Sequence, residues 1–525
     1  MESNSQSIWN YVKGVNQMRK KKIYPWKKIA IIISAILVIG IFAACGSSVS
    51  GKNMERAEKY PVVLENLSEG ENSYALAYVN SLGFTDIEFR KSFYDYLADG
   101  AGNCFINAKQ EDVVSLEISG VTDLTDLRLF PNLRKVKISD SAIADYSPLE
   151  NLKHLEVLAF YDTDVDCTGI EHITTKKLEF LHSTLQNTDA LKNLKGIISF
   201  EANYSHVKSI DFLSDWTSLQ EVTLCNADID TFEPLKNKSL NYLRISSCQV
   251  YDWSFLSDVK AEKLDLSFTN FEDFSLIKGD TVSFIDLSYT FVRDLDGISE
   301  FKNLEELHLD SCYRLAGFDE VTNLKKLKTI SFTNLEMNTE KSTAKMILAN
   351  VENYEGCDYD AKDMVLDFYN RIGIKSDMSD YEKVSLITAA VLDQISYGNA
   401  DTPENVYYCN THELVSALDG VGNCASYSGF TSALLNLAGI ENANISGENF
   451  EDNELYLHRW NVVRIDGEWK GLDVTFLDEV ANAKEMLENG ENPEYFLSDL
   501  SDPNWMEYHF PYYMPETNAN VNFAR

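Results

Sequence analysis

Cys424, His458 and Asp473 are the residues of this 525-residue chain whose types and order could do chemistry together. A thiol, an imidazole and a carboxylate can form a nucleophile, the base that takes its proton and the acid that orients the base. Cys424 follows Gly420 and Gly422 and opens an apolar run of helical period ending at Leu437. That places the sulfur at a helix N-terminus, where unpaired amides and the macrodipole favour a thiolate. Small neighbours (Gly422, Ala425, Ser426) let a substrate backbone approach. The stretch LHRWNVVRIDGEWKGLDVTFLD, 457–478, alternates and contains Asp466-Gly467, a strong hairpin-turn signal. With Ile465 facing Glu468, His458 falls opposite Thr475 and Asp473 opposite Trp460. His458 and Asp473 are then diagonal neighbours on one face, about 7–8 Å apart at the backbone. Trp460 reads as packing beside them, and Cys409 and His412 as loop residues. An oxyanion could be held by Tyr397, Asn423 or the amide of Cys424, and spacing does not choose among them.

Other elements must position this set. Residues 379–395, SDYEKVSLITAAVLDQI, predict an amphipathic helix whose start is marked by Ser379 with Glu382 three positions on. The segments GVGNCASYSGF, HRWNVVRIDGEWKGLDVTFLD and YFLSD (495–499) together resemble the three signature blocks of the bacterial transglutaminase-like superfamily, over about 140 residues. The resemblance implies a papain-like α+β domain, placed at 341–515, with Cys424, His458 and Asp473 as nucleophile, base and orienting acid. It also implies thiol acyl transfer on protein or peptide amides, ending in hydrolysis or cross-linking. No cofactor and no metal are expected, and no EF-hand-like acidic loop is present in the sequence.

Ahead of that domain, residues 111–340 repeat. Copies such as LRKVKISDSAI (133–143), LQEVTLCNADI (219–229) and LNYLRISSCQV (240–250) share one apolar pattern. Its second apolar position falls at Leu116, Val136, Leu158, Leu178, Ile198, Val222, Leu243, Leu264, Ile285, Leu307 and Ile330, eleven markers spaced by 20 to 24 residues. A fixed period of this size means a solenoid, in which each unit buries its apolar side only against its neighbours. The pattern resembles the leucine-rich repeat, and the short period resembles the internalin-like class. Cys248 and Cys312 sit where that consensus points inward, so they are expected to be buried core thiols. Lys135, Lys137, Glu306 and His308 are expected on the concave face, the usual binding surface of a solenoid. Residues 86–104 predict a helical cap within a 45–110 tether and cap region, and after Ile330 the period disappears.

The first 44 residues read as an export signal: a basic cluster, RKKKIYPWKK, precedes the apolar run Ile29–Ala44. The run ends FAAC, which resembles a bacterial lipoprotein signal and implies lipidation of Cys45; Phe42 departs from the usual aliphatic residue. At sixteen residues the run is short against the ~20 a membrane span needs, and an uncleaved signal anchor is the second reading. Met18 would give a more compact signal than Met1. Both readings place the body outside the cytoplasm, at the bacterial membrane. The net charge is −36, with +6 on residues 1–44, leaving −42 on the remainder; such a body repels nucleic acid and anionic lipid. Nine cysteines without a C-x-x-C pair give no support to zinc-ribbon or thioredoxin-like chemistry. The expected protein is thus an anchored acyl-transfer enzyme whose repeats bind a protein ligand or substrate, with residues 516–525 as a tail. The alternative is an adhesin or binding protein whose thiol domain is inactive.

Overall fold

The computed structural model describes residues 82–99, 110–316, 319–339, 341–356, 359–398, 413–451 and 454–515. The predicted export run, Cys45, Cys409 and His412 lie outside them. No helix among the described residues is long and apolar enough to cross a membrane. One compact unit, Val79–Tyr96 with Lys109–Arg525, holds both the repeats and the thiol domain.

The repeats form a solenoid whose twelve short strands run parallel, neighbours in chain order, as one sheet. One in-register row is Leu116, Val136, Leu158, Leu178, Phe200, Val222, Leu243, Leu264, Ile285, Leu307, Ile330 and Tyr354, buried at every rung but the last. The structure departs from the marker set at two rungs. Phe200, not Ile198, occupies the fifth rung, because the strand begins at Ser199 and the alternation in IISF fits either frame. A twelfth strand, Asn353–Glu355, also pairs onto the end of the sheet. It escaped the pattern because its three residues are exposed, with no following repeat to bury them. Cys248 and Cys312 are buried as expected.

Eleven repeats place a left-handed residue just beyond the strand, directly after it at Gly120, Asp140, Asp162, His182, Tyr204, Asn226 and Ser247 and a few positions on at Phe268, Tyr289, Ser311 and Asn334, with φ from 47° to 69°. Outside glycine this conformation costs on the order of 1 kcal/mol or more. It persists because, at every position from Gly120 to Ser311, the amide continues the ladder, as in Tyr204 N to Cys225 O at 2.7 Å and Tyr289 N to Asp310 O at 2.8 Å. Most repeats return through a 3₁₀ turn that buries a leucine, such as Leu127, Leu149 or Leu213. Before many of these turns an aspartate accepts the amide two residues on, as Asp123, Asp145 and Asp252 do. These aspartates are turn residues rather than a binding surface. The helix Ile87–Asp99 covers the first repeat, as predicted, with Phe93 4.8 Å from Phe130.

The thiol domain sets helices against one face of a five-stranded antiparallel sheet. The strand order is Phe496–Asp499, Glu468–Leu472, Glu454–Ile465, Asn442–Glu451, Phe510–Pro511. The Ser379–Glu382 capping box is present at the start of the helix Asp380–Gln394. That helix and Cys424–Leu437 share a core built on Ile387, Val391, Tyr427, Phe430 and Leu434. The opposite face packs Trp460, Trp469, Trp505 and Tyr513, and Phe291 of the repeats belongs to this second core. Polar contacts join the same two regions: Arg314 donates to Asn442 O at 3.2 Å and Tyr513 to Tyr289 O at 3.2 Å.

Candidate active site

Cys424 is the first residue of its helix, as predicted, and is half-buried. The Asn423 side-chain oxygen caps that helix, accepting from Ala425 N at 3.0 Å and Ser426 N at 3.4 Å. Asn423 oxygen is thereby committed to the backbone, and neither cap bond uses the Cys424 amide. Tyr397 stands in a two-residue strand beside Val421–Gly422, 63% exposed. Of the three oxyanion candidates, the Cys424 amide is the one built into the nucleophile's own helix start.

The hairpin holds the predicted register from Ile465↔Glu468 to Asn461↔Leu472. It then departs from the expectation. The strand stops at Leu472, and Asp473 becomes the N-cap of a short helix, Val474–Leu477, so it does not pair with Trp460. The reason is local: Asp473 Oδ1 accepts the amides of Thr475 at 3.0 Å and Phe476 at 3.2 Å, a bond set that a strand cannot offer. The functional outcome survives, since Asp473 Oδ2 lies 2.6 Å from His458 Nε2. With Nε2 facing the carboxylate, Nδ1 is the ring nitrogen left for Cys424, and the imidazole is close enough to lower that thiol. The structure therefore brings Cys424, His458 and Asp473 together.

The surroundings fix this geometry. The His458 ring lies against Phe476 at 4.8 Å, nearly parallel, and 5.8 Å from the buried Trp460. Asn461, on the same strand, donates to Ser428 O at 3.1 Å and Ser432 Oγ at 2.8 Å, tying the strand to the Cys424 helix. Burial pushes the Cys424 thiol up, but the hydrogen bond and charge of His458, then Arg459, more than offset it, and the thiol is lowered. Burial lowers His458, yet Asp473 and then Cys424 raise it to about 10. Asp473 is pushed up by burial and pulled well below the usual carboxylate range by His458 and His509. A thiol lowered by a neighbouring imidazole that is itself raised favours the thiolate–imidazolium pair over two neutral groups.

Three groups escaped the sequence reading. His509 places Nε2 2.9 Å from Asp473 Oδ2, a second imidazole on the same carboxylate oxygen, and stacks on Trp505 at 3.7 Å. Its only signal was its place in YHFPYY, shortly after the YFLSD block. The ligating atoms of His458, Asp473 and His509 lie within 4.8 Å of one another, and the two hydrogen bonds on Asp473 account for that closeness. Arg459 and Glu413 form a buried pair at 2.7 Å beside Cys424. Adjacent to the predicted histidine, Arg459 was legible as a charge in an apolar strand, but its partner is 46 residues away.

A profile of the Transglutaminase-like superfamily matches residues 369–474. The C-terminal part of the chain thus contains a transglutaminase-like domain, following a leucine-rich-repeat solenoid. Among solved structures, an internalin of Listeria monocytogenes is similar at 16% identity, covering 54% of this chain and 93% of that one, with a TM-score of 0.33. A candidate cysteine protease of Cytophaga hutchinsonii is similar at 21% identity over 22% of this chain and 37% of that one, TM-score 0.18. A leucine-rich-repeat protein of Leptospira interrogans is similar at 15% identity over 47% and 78%, TM-score 0.32. No curated protein matches the chain.

Proposed function

We propose that this protein is a thiol acyl-transfer enzyme acting on protein or peptide amides, with hydrolysis as its principal outcome. The observation that carries the reading is the buried line from the Cys424 sulfur through His458 to Asp473, closed by the 2.6 Å bond. Cys424 thiolate attacks the amide carbon, and the carbon–nitrogen bond breaks as the His458 imidazolium gives its proton to the leaving amine. Water, deprotonated by His458, then attacks the thioester, releasing a carboxylate and restoring the thiol. Asp473 keeps the imidazole oriented through both steps. Amides that yield ammonia would be deamidated; those within a chain would be cut.

In the same reading the repeats bind the substrate protein or a surface ligand, and the chain is carried outside the cytoplasm and tethered through Cys45 or an uncleaved anchor. The support for that tether is the run Ile29–Ala44 and its FAAC end.

The test is mass spectrometry of candidate surface and host proteins incubated with the protein and with Cys424→Ala. New termini or glutamine-to-glutamate conversions made only by the unaltered protein are the expected result. Cross-linked pairs would reassign the acceptor from water to an amine. Identical maps, together with retained ligand capture, would favour the adhesin alternative.

A further inference from the structure

We infer that the repeat array is a working part of the thiol site, with Tyr289 and Tyr313 of two successive repeats as positioning residues that hold Arg459 against Cys424. The inference rests on the thiol reading above. The Arg459 guanidinium lies over the Tyr289 ring, 4.2 Å from its centre, and Nη1 donates to Glu413 Oε1 at 2.7 Å. Tyr313 donates to the other carboxylate oxygen of Glu413, and Asn334 of the next repeat accepts from the Glu413 amide at 2.9 Å. Three successive repeats therefore grip one buried ion pair of the thiol domain. Arg459 follows His458 on the strand, Glu413 lies against Gly429 of the Cys424 helix, and the Arg459 charge is among the causes that lower the Cys424 thiol.

Two independent features show that the contact is built. Tyr289 occupies the left-handed position that the other repeats share, at φ 60°, and its ring there carries the Arg459 guanidinium. Phe268, at the same position one repeat earlier, stacks on it at 4.4 Å. The second feature is Gly429, within the Cys424 helix. A Cβ there would lie 2.5 Å from Glu413 Oε2 and 2.6 Å from the Tyr313 hydroxyl. The helix that carries the sulfur has no side chain where a tyrosine of the repeats must enter.

The charged groups bearing on Cys424 are His458 and Arg459 from the central strand, Asp473 and His509 behind His458, and Glu413 beside Arg459. Loosening the Arg459 side chain moves a positive charge away from the sulfur, while the strand backbone and the His458–Asp473 bond stay. Thiolate should then form only at higher pH.

The test is the pH profile of Cys424 carbamidomethylation by iodoacetamide in the full protein, read by peptide mass spectrometry, with Cys225 as internal reference. Tyr313→Phe deletes one hydroxyl, and Tyr289→Leu deletes the ring; Tyr289→Phe keeps the stack. Expected are profiles moved to higher pH in Tyr313→Phe and Tyr289→Leu, with labelling at pH 6 slowed about 3- to 10-fold. Tyr289→Phe should stay within about 2-fold of the unaltered protein. Unmoved profiles in folded Tyr313→Phe protein, with a normal His458-dependent profile in the unaltered protein, would overturn this inference alone. An unaltered protein whose Cys424 titrates as an ordinary thiol, regardless of His458, would overturn the thiol reading and this inference together.

Discussion

The repeats and the thiol domain both bury cysteines, with opposite results. In the array, Cys167 and Cys312 sit among apolar side chains, and burial pushes each thiol up to about 12. In the thiol domain, burial acts on Cys424 in the same direction, yet an imidazole and a guanidinium reverse the outcome. Depth alone therefore does not decide whether a sulfur is a core atom or a nucleophile. What decides is whether the fold supplies positive partners that stay desolvated with it. The array supplies hydrogen-bond acceptors instead, such as Leu287 O, 3.0 Å from Cys312 Sγ.

The sharpest way to break that contrast is to remove the imidazole. His458→Ala should slow Cys424 alkylation at pH 7 by ~10²–10⁴-fold, bringing it toward the other thiols. Peptide-resolved labelling checks it; equal rates before and after would erase the distinction. Next is Asp473→Asn, which keeps the shape but leaves two buried imidazoles facing an amide. It should cost about 3–5 kcal/mol in urea denaturation and slow labelling as well.

The pH dependence of stability sharpens the same contrast. His458 is raised in the folded state, so its pairing contributes fully below the ordinary histidine range and is lost as pH rises through about 10. Asp473 is lowered, so its contribution is present above the ordinary carboxylate range and lost as pH falls. Denaturation at pH 7 and pH 10.5 should therefore show a loss in the unaltered protein that is largely absent in Asp473→Asn. The smallest effect is expected in the array. Cys167→Ala should cost on the order of 1 kcal/mol of packing and leave the Cys424 labelling rate unchanged.

The sequence reading went furthest where the physics is periodic or local. Eleven repeat markers, the Ser379 cap, the helix starting at Cys424 and the Asp466-Gly467 turn each depend on residues a few positions apart. It failed by small steps where two local signals compete. At Ile198 two frames of an apolar run were equally good, and burial of Phe200 decided. At Asp473 strand alternation competed with helix capping, and the two amides ahead of it won. Arg459, Glu413 and His509 were out of reach for another reason. Their roles come from partners 36 to 46 residues away or, for Glu413, 100 residues away on the array. No spacing rule links such positions before the fold is known.

The left-handed row along the array's edge fixes a backbone shape while leaving the side chain open to choice: Gly, Asp, His, Asn, Ser, Tyr and Phe all occupy it. The thiol domain grips that row and its neighbouring turns near the downstream end, at Phe268, Tyr289, Tyr313 and Asn334. Gln249, which accepts from Met514 N at 2.7 Å, extends the grip one repeat further, so units could be gained or lost well upstream of it without touching these contacts. The protein is built like a ruler with a tool fixed near one end: its reach is adjustable in whole increments, and the tool stays in register.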